Sequence, residues 1–521
     1  MDRRRFLQSS VSFLSLAGGV SLPLSRAFAA TTRPEAGEAF SFDILTERMR
    51  AKAKEAWQKP ESPLPEKVQS LTYDQHRAIR FRPDHSLWRD TGARYQLQAF
   101  HPGWLFKQPV TIYEVRDDRA DPVAFTGHDF RYDAPLDETE FDDFEMPGVA
   151  GFRLHYPLKR PDYMDEVVAF LGASYFRALG RQSVYGLSSR GLAIDTASSE
   201  PEEFPAFTAF YIAPPGVDER TIRLWASLES PRVTGAYAFE ITPGDETVVD
   251  VTARLFFRNR IDRLGVAPLT SMYLFGENDD RGFDDYRPEV HDSDTLVILN
   301  GNDEQAVRPL RNPGSLRVSF FRVANPKGFG LAQRDREFGN YQDLEAHYER
   351  RPTAWIEPLN DWGQGRVVLA EIPSDSETND NIVAFWQPAK EPEAGDEREY
   401  RYRMRWGDRS GSTDLAEVIA THTGHGGVAG LEIDPEMRKF VVDFRGGVLS
   451  NLPKDAAVKP HLEASNAEIV STVVQRMPHE DCWRLIADVR RSSDDPVELR
   501  AYLTFEDARL SETWLYQWSV E

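Results

Sequence analysis

The chain has 521 residues, a formal net charge of −22 and a single cysteine, Cys482. The negative field repels phosphate backbones and anionic lipid, which argues against nucleic-acid or membrane-surface partners. One cysteine excludes an intrachain disulfide framework, a CxxC motif and a thiolate set for an iron–sulfur cluster.

In chain order, residues 1–29 read as a cleaved export signal. Arg3-Arg4-Arg5-Phe6-Leu7 carries the twin-arginine pattern, and a broken apolar stretch from Val11 to Leu24 is too short to span a bilayer. Ala27-Phe28-Ala29 supplies a small-x-small cleavage site, so the mature chain is expected to start at Ala30. Loss of that segment leaves 58 basic against 83 acidic side chains, a charge near −25. No HExxH, Walker A or dinucleotide-binding glycine pattern is present, so folding before export is expected without cofactor loading.

One amphipathic helix is expected over about 42–58, with Ile44, Leu45, Met49, Ala53 and Trp57 on one stripe and Pro60 beyond it. After it the texture changes to short strands, among them 95–100, 110–115, 221–226 and 318–323. Turn signals such as Pro214-Pro215-Gly216 and Asn312-Pro313-Gly314 separate such runs. Strands recurring with almost no helices between them indicate a mainly β fold of antiparallel sandwiches or barrels. The polar, Pro- and Gly-bearing segment 389–396 reads as a linker. It would divide a first domain, 38–389, from a second, 396–519, of about seven strands that include 400–406, 438–444 and 499–505. The size and rhythm of the second suit an immunoglobulin-like sandwich.

Two acidic segments stand out. Glu289-Val290-His291-Asp292-Ser293-Asp294 sets two acids two residues apart beside a histidine, and Glu371 to Asp380 leads into the apolar strand Ile382–Trp386. Paired carboxylates are what glycoside cleavage requires, one to protonate the leaving oxygen and one to prepare the attacking group. In a chain with 84 acids, most Asp-x-Asp pairs are solvated turns, so composition does not single these out. His422-x-x-His425 lacks a third ligand cluster, and its glycines suit a loop. His291 reads as an ordinary buried hydrogen-bonding residue, Cys482 as an inert core thiol, and 276–290 as a lid.

Taken together, the motifs resemble the glucans biosynthesis protein G/D family of periplasmic proteins. The resemblance runs through Phe170–Ala178, Tyr185–Asp195, Leu264–Met272, His291–Asp294, Asn325–Leu331, Arg351-Pro352, Asp380–Pro388 and Ser511–Gln517. The twin-arginine signal favours the D branch. The resemblance implies a large N-terminal β-sandwich carrying a cleft, followed by a smaller immunoglobulin-like β-sandwich. It implies a periplasmic, cofactor-free inverting endo-glycoside hydrolase acting on linear β-1,2-glucan. Asp380 matches the family's general acid and Asp292 its general base. Glu377, Tyr348, Arg351 and Trp355 are the substrate-binding candidates, with Glu377 also expected to raise the Asp380 pKa. The loop 373–379 departs in detail from the family pattern, which leaves the preferred glucan length open. Two other readings stand beside hydrolysis: transglycosylation in the same cleft, and a non-catalytic glucan-binding scaffold partnering the inner-membrane glucan synthase.

Overall fold

The computed structural model describes residues 37–280, 282–408, 414–428, 430 and 432–519. The expected signal peptide and its cleavage site lie outside them. The helix forms at Phe42–Lys52, started by Ser41, whose hydroxyl accepts a hydrogen bond from the Ile44 amide at 3.2 Å. It seats Leu45 and Met49 against Tyr113, Tyr211 and Phe256. It ends earlier than its apolar stripe suggests. The Arg258 guanidinium takes the Lys52 carbonyl (2.9 Å) and the Glu55 carbonyl (3.2 Å), satisfying acceptors that a longer helix would have used.

Beyond the helix the chain is mainly β, arranged as sandwiches. One sheet of 16 strands runs through the whole described molecule, and a second of ten strands packs against its first part. The alternation that predicts strands is visible in Thr247–Phe257, where Val249, Val251, Ala253 and Leu255 turn into the core and Val248, Asp250, Thr252 and Arg254 turn outward. Facing them across the first sandwich are Phe152, Leu154, Phe170, Phe176, Leu269 and Trp386 of the second sheet. The expected strands 95–100, 110–115, 221–226 and 318–323 form as Gln96–Phe100, Thr111–Arg116, Ile222–Glu229 and Arg317–Ala324.

The second sandwich sets the four-stranded sheet of Glu417–His425, Met437–Arg445, Cys482–Arg491 and Ala467–Arg476 over the far end of the long sheet. There Gln305–Pro309 pairs in parallel with Thr513–Trp518, so the two sandwiches share one continuous sheet. Buried Cys482 has its thiol pushed up to about 11 by burial, as suits an unreactive core residue. His422 and His425 lie three apart on one strand, which turns them to opposite faces.

The expected boundary at 389–396 needs correction. Strand Glu397–Gly407, assigned from sequence to the second sandwich, lies inside the first, between Thr247–Phe257 and Thr353–Pro358. The 389–396 segment is a crossover from one sheet of the first sandwich to the other, tied down by Gly395 N–H to the Phe257 carbonyl at 2.8 Å. The passage to the second sandwich comes after Gly407. Polar residues with Pro and Gly report solvent exposure, which crossovers and domain linkers share.

A buried ion pair joins the two sandwiches. Arg334 and Glu512 form two parallel bonds of 2.6 and 2.7 Å, with side chains only 8% and 0% exposed, and Glu512 also accepts from the Val418 amide. Removing one partner strands the other charge in the core. Glu512→Ala should therefore lower stability by about 3–5 kcal/mol in urea denaturation. The apolar double variant Arg334→Met/Glu512→Leu should lose much less.

Candidate active site

Asp380 closes the loop leading into strand Ile382–Pro388, and Asp292 follows the two-residue strand Val290–His291. Fold and sequence separate these acids by 88 positions, yet they share one electrostatic field. Burial raises the Asp380 carboxyl, the Asp292 charge raises it further, and it reaches about 7 despite the opposing charges of Arg177 and Arg190. Asp292 meets the Arg351 guanidinium at 3.3 Å, with both side chains mostly covered, and its backbone amide donates to the Met272 carbonyl at 2.8 Å. Near neutral pH Asp380 therefore still holds a substantial share of its proton, while Asp292 is paired with Arg351.

Three of the four expected binding residues gather beside the acids. Tyr348 donates its phenolic proton to Glu377 at 2.7 Å, and Glu377 also accepts from Arg287 at 2.8 Å. Arg351 lies over the Tyr348 ring, 5.1 Å from its centroid, and donates to the Tyr185 carbonyl. Burial, with Asp292 and Glu377 close by, lifts the Tyr348 phenol far above its ordinary range, so it stays protonated as a donor. Glu377 does not take the part expected of it: the carboxylate that raises Asp380 is Asp292, while the Glu377 charge is spent on Arg287 and Tyr348.

Trp355 lies elsewhere. It is 4% exposed and belongs to the core of the second sandwich with Val297, Val307 and Trp514. A side chain on Gly328 of the neighbouring strand would meet its ring at 2.3 Å. Its sequence neighbourhood to Arg351 misleads because Arg351 ends the turn after Tyr348–Arg350, whereas Trp355 lies within the following strand Thr353–Pro358, whose partners carry it into the other core.

The expected lid, 276–290, is likewise not free-standing. Thr421 N–H donates to Glu277 at 3.1 Å, and the Asn278 carbonyl accepts from Thr423 and Tyr516 of the second sandwich. Farther along, Arg287 bonds Asp285, Asp343 and Glu377. His291 is buried behind Asp292, stacked on Tyr273 with ring centroids 5.2 Å apart and bonded to Glu289 (2.8 Å) and Gln333 (2.9 Å). Burial opposes its charge, but the Glu289 carboxylate outweighs that and raises its pKa.

Sequence reasoning missed the basic and aromatic groups around Asp380. Arg177 lies 4.0 Å over the Tyr185 ring, and Arg190, bonded to Glu202 at 2.6 Å, lies 5.5 Å over Tyr175. The signal was present in Tyr175-Phe176-Arg177-Ala178. Phe176 and Ala178 enter the core, so Tyr175 and Arg177 must occupy the outer face.

A mainly β protein of two sandwiches, with a pair of unequal carboxyls set among arginines and aromatic rings, is the class that these features define. Residues 40–518 match the family described as "Periplasmic glucan biosynthesis protein, MdoG". Similar proteins include glucans biosynthesis protein G of Cereibacter sphaeroides, 49% identical over 99% of this chain and 98% of that one. Others are glucans biosynthesis protein D of Xylella fastidiosa, 43% identical over 99% and 98%, and glucans biosynthesis protein G of Ralstonia nicotianae, 44% identical over 92% and 96%. The chain belongs to the periplasmic glucan biosynthesis protein G/D family. Both names occur among these relatives, and the G-named Cereibacter protein is more similar than the D-named Xylella one. Among the described residues, no helix is long and apolar enough to cross a membrane.

The raised Asp380 pKa has a consequence for stability. In the unfolded chain the group titrates near 3.8 and in the folded one near 7, so folding disfavours its ionisation. The folded state is unaffected below pH 3.8, loses stability progressively as pH rises from 3.8 to about 7, and carries the full loss above 7. Asp380→Asn, which stays neutral, should gain roughly 2–4 kcal/mol over wild type at pH 8, at about 1.4 kcal/mol per pKa unit. That gain should vanish by pH 4. Thermal melts across this range measure it.

Proposed function

We propose that this protein is a periplasmic, inverting endo-glycoside hydrolase of linear β-1,2-glucan, with Asp380 as general acid and Asp292 as general base. The observation that carries the reading is the difference between the two acids. A carboxyl that titrates near 7 holds a proton to donate to the glycosidic oxygen as the bond breaks. Asp292, beside the Arg351 cation, is suited to receive a proton from water, directly or through intervening hydroxyls. Inversion requires that the water attack from the face opposite the departing oxygen, which calls for carboxyls roughly 6.5–9.5 Å apart, or farther with a relay.

Glu377, Tyr348 and Arg351 supply polar contacts to sugar hydroxyls, and the tyrosine rings offer apolar faces to sugar rings. The family's name supports glucan as the substrate class. Export through the twin-arginine route, with cleavage after Ala29, would place the folded enzyme beside that glucan. N-terminal sequencing of periplasmic protein should then begin at Ala30.

Incubation with linear β-1,2-glucan tests the activity. Shorter linear products with inverted anomeric configuration are expected, and the rate should fall as pH rises through about 7, where Asp380 loses its proton. Asp380→Asn should lower kcat about 10²–10⁴-fold. Cyclic or branched products would indicate transglycosylation instead. Equal inertness of wild type and variant on every β-glucan would favour a scaffold that partners the inner-membrane glucan synthase.

A further inference from the structure

The last ladder contact between strands Leu264–Ser271 and Ile382–Pro388 is Ser271 against Ile382. One residue beyond it the main chains part, and the Asn381 side chain takes over the pairing. Its Oδ1 accepts from the Tyr273 amide at 2.8 Å, and its Nδ2 donates to the Tyr273 carbonyl at 2.8 Å and the Ile372 carbonyl at 3.1 Å. A carboxamide carries the same donor and acceptor as a peptide group, so it can stand in for a strand partner. On its other side the Asn381 carbonyl accepts from the Ile372 amide at 2.8 Å, so Asn381 is held from both neighbouring segments with Asp380 the next residue along. Asn381 is 1% exposed, so each of these bonds is shielded from competing water.

The segment that Asn381 grips also holds the other acid. Ser271 donates to Ser293 at 2.8 Å, the Met272 carbonyl accepts from the Asp292 amide at 2.8 Å, and Tyr273 pairs with His291. Ser271 and Tyr273 therefore each link a neighbour of Asp292 with the segment that follows Asp380, and Met272 between them bonds Asp292 itself. We infer that Asn381, acting through Ser271–Tyr273, is a positioning residue that sets the separation of the Asp292 and Asp380 carboxyls. This rests on the acid–base roles proposed above. A carboxyl displaced by about 1 Å loses much of its catalytic advantage, whereas glucan contacts made elsewhere persist.

Asn381→Ala is the direct test, with Asn381→Ser as a second variant should the first melt below assay temperature. The expected result is a kcat at least about 10-fold lower with KM changed less than about 3-fold, the pattern of an interaction that matters only in the transition state. The groups facing Asp380 are Asp292, Arg177, Arg190 and Tyr175. Moving Asp380 away from the Asp292 charge and toward water should shift the alkaline limb of the pH–rate profile to lower pH. A folded variant with wild-type kcat and an unmoved limb would overturn the positioning role while leaving the hydrolase reading intact. Crystal structures of wild type and variant decide independently of activity. A changed distance between the two carboxyls is expected, and a distance preserved within about 0.5 Å sinks the inference even if wild type cleaves no glucan.

Discussion

Two carboxyls cannot be brought into one poorly hydrated space without cost, and the fold around Asp292 and Asp380 is arranged to carry that cost. Burial and mutual repulsion both resist the second negative charge, and Asp380 responds by keeping its proton to near neutral pH. Arg177 and Arg190 limit the rise, while Arg351 stands against Asp292. Were the surroundings loose, the acids would separate and hydrate, and the causes that raise the Asp380 pKa would fade. That raised pKa is the basis of the chemistry proposed above, which would need a rigid frame as much as stability does.

The frame extends beyond the first sandwich. The long sheet passes from one sandwich into the other through the parallel pair of Gln305–Pro309 with Thr513–Trp518. The Arg334–Glu512 pair lies at the same junction. From there Thr421, Thr423 and Tyr516 hold Glu277 and Asn278, and Asn278 in turn receives the Tyr273 hydroxyl at 2.6 Å. Tyr273 is the residue against which Asn381 and His291 both pair. The second sandwich is thereby joined to the segments that carry the two acids by short hydrogen bonds.

Much of the fold was legible in the sequence because strand alternation is a local property. Thr247–Phe257 and Tyr175–Ala178 write their inner and outer faces directly into the order of residues. The domain boundary was not, since the exposed crossover 389–396 has the composition of a linker and only pairing partners distinguish the two. The helix end was hidden for a similar reason: Arg258, some 200 residues away, bonds the Lys52 carbonyl of its last turn and the Glu55 carbonyl just beyond it. Trp355 was misplaced because proximity in sequence to Arg351 says nothing about which side of a strand a ring occupies. Glu377 was given the wrong electrostatic role, because its bonds to Tyr348 and Arg287 join residues far apart in sequence.

The sequence by itself determined the mainly β class and the family, because periodicity and extended motifs survive without knowledge of contacts. It could not determine which carboxylate raises Asp380, that Arg177 and Arg190 oppose it, or that Asn381 substitutes for a strand partner beside it. Those are matters of distance between residues up to about 200 positions apart. Electrostatic and hydrogen-bond energies depend on separation and solvent access, and only the packed sheets decide both.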